Sequence, residues 1–335
     1  MKSIRLSLIL PFYGVEKYIR QCLESVYHQD IPEEEYEVIC INDCSPDRCE
    51  EIVLTYQKQH ANLRLIRHEQ NLKLGAARNS GLRAATGSYV WFIDTDDYLQ
   101  ENCFGEILSY CEKDDLDIMH FAIQNNYGSS MRSLVETDVV TGIEEERISE
   151  KQLCIEITYP WNRIYRREFL LENNLFFNDL YGGDVIHTIL AANAAKRVRN
   201  VNRYYHFYRV DNSTSDTHSP GTAEKLYKMN YVLGKAIGDI LPLIDPSWRD
   251  SIAESVPWKF NQSWKRILRF PLQEQIRIYH LLYEDKDLLH YVLQNVDKLN
   301  KFVILCPVVV LMIGMPYKIA WLIRNNYKQL KECKS

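Results

Sequence analysis

Nine cysteines occur in the 335 residues, yet no two form a Cys-x-x-Cys pair. Without that pair a structural zinc site is not indicated, and reduced thiols in a cytoplasmic setting are the expectation. Positive charge is also short: 40 Lys and Arg against 45 Asp and Glu give a net charge of −5, which argues against bulk binding of nucleic acid. Glycine and proline are few, at 13 and 11, with no low-complexity linker and no internal repeat. The most apolar uncharged run, Phe302 to Pro316, is shorter than the ~20 residues of a membrane span and is broken by Pro307. The N-terminal apolar run is only a strand long and lacks a small-residue cleavage site, which predicts no secretory signal. The early turn Pro11-Phe12-Tyr13-Gly14 is not a basic, Gly-rich phosphate loop. A globular chain with a length prior of about two domains remains.

What is present points to one end of a sheet. Tyr89 to Ile93 reads as a strand buried on both faces, and it runs into Asp94, Asp96 and Asp97. In open α/β sheets ligands bind beyond the carboxyl ends of strands. Crowded carboxylates repel, and a cation relieves the repulsion; hard oxygen donors with open positions suit Mg²⁺ or Mn²⁺ bridging to phosphates. A helix cap is the plain alternative for Asp96 or Asp97. Upstream, Ile4 to Phe12 predicts a strand, Glu16 to His28 a helix, Tyr36 to Ile41 a strand, Glu50 to Gln59 a helix, and Leu63 to Arg67 a strand. A further helix then leads to the Asp94 strand. Such alternation predicts right-handed crossovers and an α/β fold with a mostly parallel sheet flanked by helices.

In sequence order, Leu8-Ile9-Leu10-Pro11-Phe12-Tyr13, Ile41-Asn42-Asp43-Cys44-Ser45, Gly75-Ala76-Ala77-Arg78-Asn79-Ser80-Gly81 and Asp94-Thr95-Asp96-Asp97 resemble the motifs of the family 2 glycosyltransferases with the GT-A fold. The resemblance extends over roughly residues 4 to 215. It implies an inverting, metal-dependent transfer of sugar from a nucleoside-diphosphate sugar, with UDP favoured, to a hydroxyl of a glycan or lipid-linked glycan. Mg²⁺ or Mn²⁺ would be the cofactor. Bacterial surface polysaccharide synthesis is the implied setting, with no nucleic-acid partner.

The resemblance assigns Pro11, Tyr13 and Asp43 to the nucleotide, with Tyr13 suited to stacking on the base and Asp43 to accepting a base N–H. Lys73 and Arg78 could pair with phosphate or base, and Arg78 could equally clamp the carboxylate cluster. Asp94 matches a ribose or metal contact and Asp96 a metal ligand. In the second half, Tyr159 to Leu170 and Phe176 to Thr188 resemble acceptor-side segments. The latter usually reads Glu-Asp; here Gly183 stands in place of that Glu, and Asp184 remains as the general base, or as a cap of the helix predicted over Val185 to Ala195. Trp161, Asn162 and His187 fall on the acceptor side. His206 and Arg209 are candidates for diphosphate or metal contact, or for loop support.

The expected layout is a catalytic domain over 1–220, with a donor half (1–100) and an acceptor half (101–220). A helical extension over 221–300 and a C-terminal segment over 301–335 follow. In that segment, Tyr317 to Lys334 reads as a basic amphipathic helix suited to the inner face of an anionic membrane, or to packing on the core. A nucleotidyltransferase and a non-catalytic glycan- or nucleotide-binding scaffold of the same fold are the alternatives.

Overall fold

The computed structural model describes residues 3–125, 127, 130–132, 140–141, 159–178, 182–210, 224, 227–246, 249, 252 and 272–295. The readings made of 211–220, of most of 247–270 and of 301–335, the membrane segment included, lie outside these residues. The chain divides into two compact units, one of residues 1–179 with 183–219, the other of 180–182 with 220–335.

The first unit opens with three strand–helix repeats: β1 (Leu6–Phe12), α1 (Ile19–Tyr27), β2 (Tyr36–Asn42), α2 (Cys49–Gln57), β3 (Leu63–Arg67), α3 (Lys73–Ala84) and then β4 (Tyr89–Phe92). There follow β5 (Tyr98–Leu99), α4 (Phe104–Lys113), β6 (Ile118–Phe121), β7 (Ile123–Asn125), β8 (Ser130–Arg132) and β9 (Val140–Thr141). The unit closes with β10 (Arg163–Arg166), α5 (Arg167–Glu172), α6 (Gly183–Ala194), β11 (Arg197–Val201) and β12 (His206–Tyr208).

Eight strands form the main sheet in the order β3-β2-β1-β4-β10-β6-β11-β9. The first four are parallel, as the alternating pattern predicts; β10 enters antiparallel between β4 and β6. The apolar runs of β1, β2 and β4 are buried throughout because both faces are covered. Leu6, Leu8 and Leu10 face a core shared with Ile19, Leu23 and Val26 of α1 and with Phe104 and Leu108 of α4. Ile9, Ile39 and Phe92 face the opposite core, with Ala77 and Leu82 of α3 and Phe169 of α5.

Strand order reverses at β1: β2 and β3 lie on one side and β4 on the other. That reversal opens a crevice at the carboxyl ends of β1 and β4, the place where open α/β sheets take ligands. Pro11 fits an inner strand because the β1–β4 pairing ends at Ile9–Phe92, so its missing N–H breaks no ladder. Its carbonyl instead accepts the Thr95 hydroxyl at 2.8 Å, which ties the carboxylate loop to β1.

A small second sheet, β5-β12-β7-β8, explains how residues over a hundred positions apart meet. In it β12 lies antiparallel to β5, with His206 opposite Leu99 and Phe207 opposite Tyr98. The end of β12 is thereby laid beside the 95–97 turn, where the Arg209 N–H reaches Asp97.

In the second unit the described helices are α7 (Leu233–Ile240), α8 (Leu272–Glu284) and α9 (Lys286–Asn295), within regions read as helical from the sequence. A π-helical turn, Lys228–Val232, leads into α7. No helix among the described residues is long and apolar enough to cross a membrane.

Candidate functional site

Four strand exits converge at the crevice, and short side chains lace them together. Ser45 Oγ accepts the Gly14 N–H at 2.8 Å and bonds Asp47 Oδ1 at 2.6 Å, and Asp47 Oδ2 accepts the Glu16 N–H at 2.9 Å. The loops after β1 and β2 are held as one wall. Tyr13 stands on it with 51% of its surface exposed, available for stacking. Asp43 lies below, buried, with Oδ1 accepting the Leu72 N–H at 2.8 Å and pairing with His68 Nδ1 at 2.7 Å. Its Oδ2 takes no hydrogen bond among the described residues. Two non-glycine residues here hold left-handed backbone: Cys44 at φ +60° and Lys73 at φ +74°. Such conformations persist where surrounding contacts enforce them. Lys73 is exposed, on the first turn of α3.

Arg78 is fully buried on α3 and spans the two halves of the site. Its Nη2 bonds Asp94 at 2.6 Å, and its Nη1 bonds Asp184 at 2.5 Å. Burial alone would lower the guanidinium pKa; the two carboxylates outweigh it and hold the charge. Asp184 sits within the first turn of α6, because that helix begins at Gly183 and not at Val185. It lies deep in the unit yet keeps 35% of its side-chain surface open, against 25% for Asp94. Burial raises the Asp184 pKa, Arg78 opposes the rise, and Asp94 adds to it. Glycine at 183 has a steric reason: a Cβ there would lie 2.6 Å from the Asn178 carbonyl and 2.8 Å from its side-chain oxygen.

Arg209 braces the carboxylate loop. Its N–H donates to Asp97 Oδ1 at 2.7 Å, its Nε to the Asp96 carbonyl at 2.8 Å and its Nη2 to Gln21 at 2.5 Å. The guanidinium lies over Tyr18 and Tyr98. His206 is buried and stacked on Trp161, its Nε2 3.5 Å from Asp97 Oδ2. Burial pushes His206 down to about 3 and raises Asp97, with Asp96 and Asp94 adding to the rise, so both shifts disfavour the charged forms. The arrangement matches loop support for both residues.

Trp161, Asn162 and His187, the three residues expected on the acceptor side, are buried in the first unit. Trp161 is packed between Tyr159 and His206, and its carbonyl accepts the Trp91 indole N–H at 2.7 Å. Asn162 donates to the Phe121 carbonyl at 3.1 Å. His187 stacks on Phe177 and meets Phe92 and Tyr165 edge-on, with burial lowering its pKa to about 3. Apolar and aromatic neighbours, invisible at the level of motif, draw these side chains inward. His68 was missed altogether. Its signal was position alone, one residue past the end of β3, on the edge where strands deliver chemistry.

Asp94, Asp96 and Asp97 are hard oxygen donors. Among the described residues no three His, Cys, Asp or Glu side chains form a ready-made metal cage. Asp97 Oδ2 is buried with no hydrogen-bond partner among them. This donor set suits a cation held by one or two carboxylates and completed by substrate phosphates, the habit of Mg²⁺.

Comparison with known proteins agrees with the fold. The model of Glycosyl transferase family 2 matches residues 7–172. The uncharacterized glycosyltransferase EpsJ of Bacillus subtilis is 33% identical over 226 residues, 64% of this chain and 63% of EpsJ. The poly(ribitol-phosphate) beta-N-acetylglucosaminyltransferase TarS of Staphylococcus aureus is 30% identical over 177 residues, 52% of this chain and 30% of TarS. The chain thus spans less than two thirds of the length of these curated relatives. The crystal structure of S. aureus TarS 1–349 with UDP-GlcNAc superposes with a TM-score of 0.70 at 23% identity, covering 97% of this chain and 92% of that one, a likeness of fold. Through residues 7–172 the chain belongs to glycosyl transferase family 2.

Proposed function

We propose that the protein is an inverting glycosyltransferase, moving a sugar from a UDP-sugar to a hydroxyl of a glycan acceptor in bacterial surface-polymer synthesis. One observation carries the reading: a single buried guanidinium, Arg78, holds both Asp94 at the end of β4 and Asp184 at the start of α6. A residue suited to the donor and a residue suited to a base thus share one anchor, close enough for one sugar to lie against both. The relatives' names support the setting, since TarS is named for glycosylating a poly(ribitol-phosphate).

In this reading Tyr13 stacks on the base, Asp43 Oδ2 accepts a base N–H, and Lys73 meets the diphosphate. Asp96 and Asp94 would hold Mg²⁺ or Mn²⁺, which supplies positive charge to the departing diphosphate. Asp184 takes the proton of the acceptor hydroxyl as that oxygen attacks the anomeric carbon and the bond to the diphosphate breaks. A single in-line displacement inverts the centre. The raised pKa of Asp184 makes it a better proton acceptor than an ordinary carboxylate, and Arg78 fixes its direction. Arg209 holds the Asp96–Asp97 turn, so the metal-side carboxylates need not reorganise.

Asp184→Asn tests this directly in a transfer assay over a panel of UDP-sugars and glycan acceptors. Donor affinity should persist while transfer falls ~10²–10⁴-fold, the usual worth of a general base. Wild-type transfer by the variant would remove Asp184 from that role.

A further inference from the structure

We infer that His68 and Ser80 form a positioning relay that fixes Asp43 and so decides which nucleobase the donor site accepts. The inference rests on the reading of Asp43 as the base contact. His68 is half-buried as a residue, with only 8% of its side chain exposed, its Nδ1 2.7 Å from Asp43 Oδ1 and its Nε2 2.9 Å from Ser80 Oγ. Both its ring nitrogens are engaged, by Asp43 and by Ser80, so its part is to hold Asp43 and not to meet the ligand.

The chemistry of the three groups sets a direction. A carboxylate only accepts, so His68 Nδ1 donates to Asp43, and the Nε2 of the same ring is hydrogen-bonded to the Ser80 hydroxyl. The Leu72 N–H adds a second donor to the same oxygen, at 2.8 Å. Two donors on Oδ1 stop the carboxylate from exchanging its oxygens. Oδ2, which takes no hydrogen bond among the described residues, is left at one orientation. The left-handed residues bracket this arrangement: Cys44 follows Asp43, and Lys73 follows Leu72. The backbone is bent on both sides of the contacts that pin Asp43.

A fixed acceptor oxygen discriminates between pyrimidines. Uracil offers a ring N–H between two carbonyls, while cytosine presents an acceptor nitrogen at that position. A carboxylate free to turn would read the difference poorly. Ser80 also lies two residues from Arg78 on α3, so the base and the catalytic carboxylates are held by one helix.

The test is titration calorimetry of the full chain with UDP and with CDP, each with Mg²⁺, on six proteins. These are wild type, His68→Gln, His68→Asn, Ser80→Ala, Asp43→Asn and the double variant Asp43→Asn/His68→Gln. His68→Gln loses the donor at the Nδ1 position and should cut the UDP-over-CDP preference by ~10-fold, the scale of one hydrogen bond to a charged group. His68→Asn keeps a donor near Nδ1 and should retain most of the preference, with Ser80→Ala between the two. In an Asp43→Asn background His68→Gln should change nothing further. If Asp43→Asn leaves the preference intact, the base reading of Asp43 fails, and the relay with it. If Asp43→Asn abolishes the preference while His68→Gln and Ser80→Ala keep it, the relay alone is overturned. Equal weakening of UDP and CDP by His68→Gln would mark a merely structural histidine and also overturn it. Should His68→Gln fail to fold, an unchanged preference in Ser80→Ala overturns the relay and a reduced one supports it.

Discussion

Three carboxylates crowd the end of β4, and their side chains are in different circumstances. Asp94 is matched by Arg78, whereas Asp97 is buried, with the backbone N–H of Arg209 on Oδ1 and no hydrogen-bond partner on Oδ2 among the described residues. Burial first, then Asp96 and Asp94, raise the Asp97 pKa. The native state therefore binds this proton more firmly than the unfolded chain does. Between the ordinary carboxylate pKa and the raised one, stability must fall as pH rises, and it is regained as pH drops through the raised value. Asp97→Asn keeps an acceptor for the Arg209 N–H and removes the charge. In metal-free protein, thermal melts from about pH 5 to pH 8 should show the variant gaining on wild type as pH rises. Parallel profiles would mean that Asp97 is not held in this way.

Helix α3 is the element on which the site depends, since it carries both Arg78, bonded to Asp94 and Asp184, and Ser80, bonded to His68. Gly81 lets it lie that close: a Cβ there would fall 2.3 Å from Ile9 Cγ2 and 3.0 Å from Ile41 Cδ1. In Gly81→Ala two effects compete. Helix propensity favours alanine by ~1 kcal/mol, and overpacking costs ~1–3 kcal/mol. With both contacts inside the buried sheet, overpacking should win, giving a net loss of up to ~2 kcal/mol in urea unfolding together with reduced turnover. A more stable variant would show that α3 can move off the sheet freely. Elements of this kind were legible in the sequence. The strand–helix alternation anticipated β1 to β4, because inner strands must be continuously apolar and their helices amphipathic. The start of α6 was read two residues late, since Gly182-Gly183 looks like a turn and the helix nevertheless begins at Gly183. The inward turn of Trp161, Asn162 and His187 was not legible, because it depends on aromatic partners such as Phe177 and His206 that only tertiary structure supplies.

At the scale of the whole molecule, the sheet order places the reversal at β1, and everything proposed for the donor follows from that crevice. The motifs at 11–13, 43 and 94–96 each lie at or just past a strand exit, a place the sequence pattern marks, while Arg78 lies within α3. The link from Arg78 to Asp184, 106 residues on, was not, because an ion pair between distant loops leaves no periodic trace. The relay from Asp43 to Ser80 escaped for the same reason. The central claim is that this crevice binds a nucleoside diphosphate through a cation held by Asp96. Titration calorimetry with UDP, in Mn²⁺ and in EDTA, on wild type and Asp96→Asn, tests it most directly. Wild type should bind UDP more tightly with Mn²⁺ than in EDTA, and Asp96→Asn should lose that difference while retaining its fold. Mn²⁺-dependent UDP binding that is unchanged in Asp96→Asn, or no UDP binding by wild type in either condition, would contradict it.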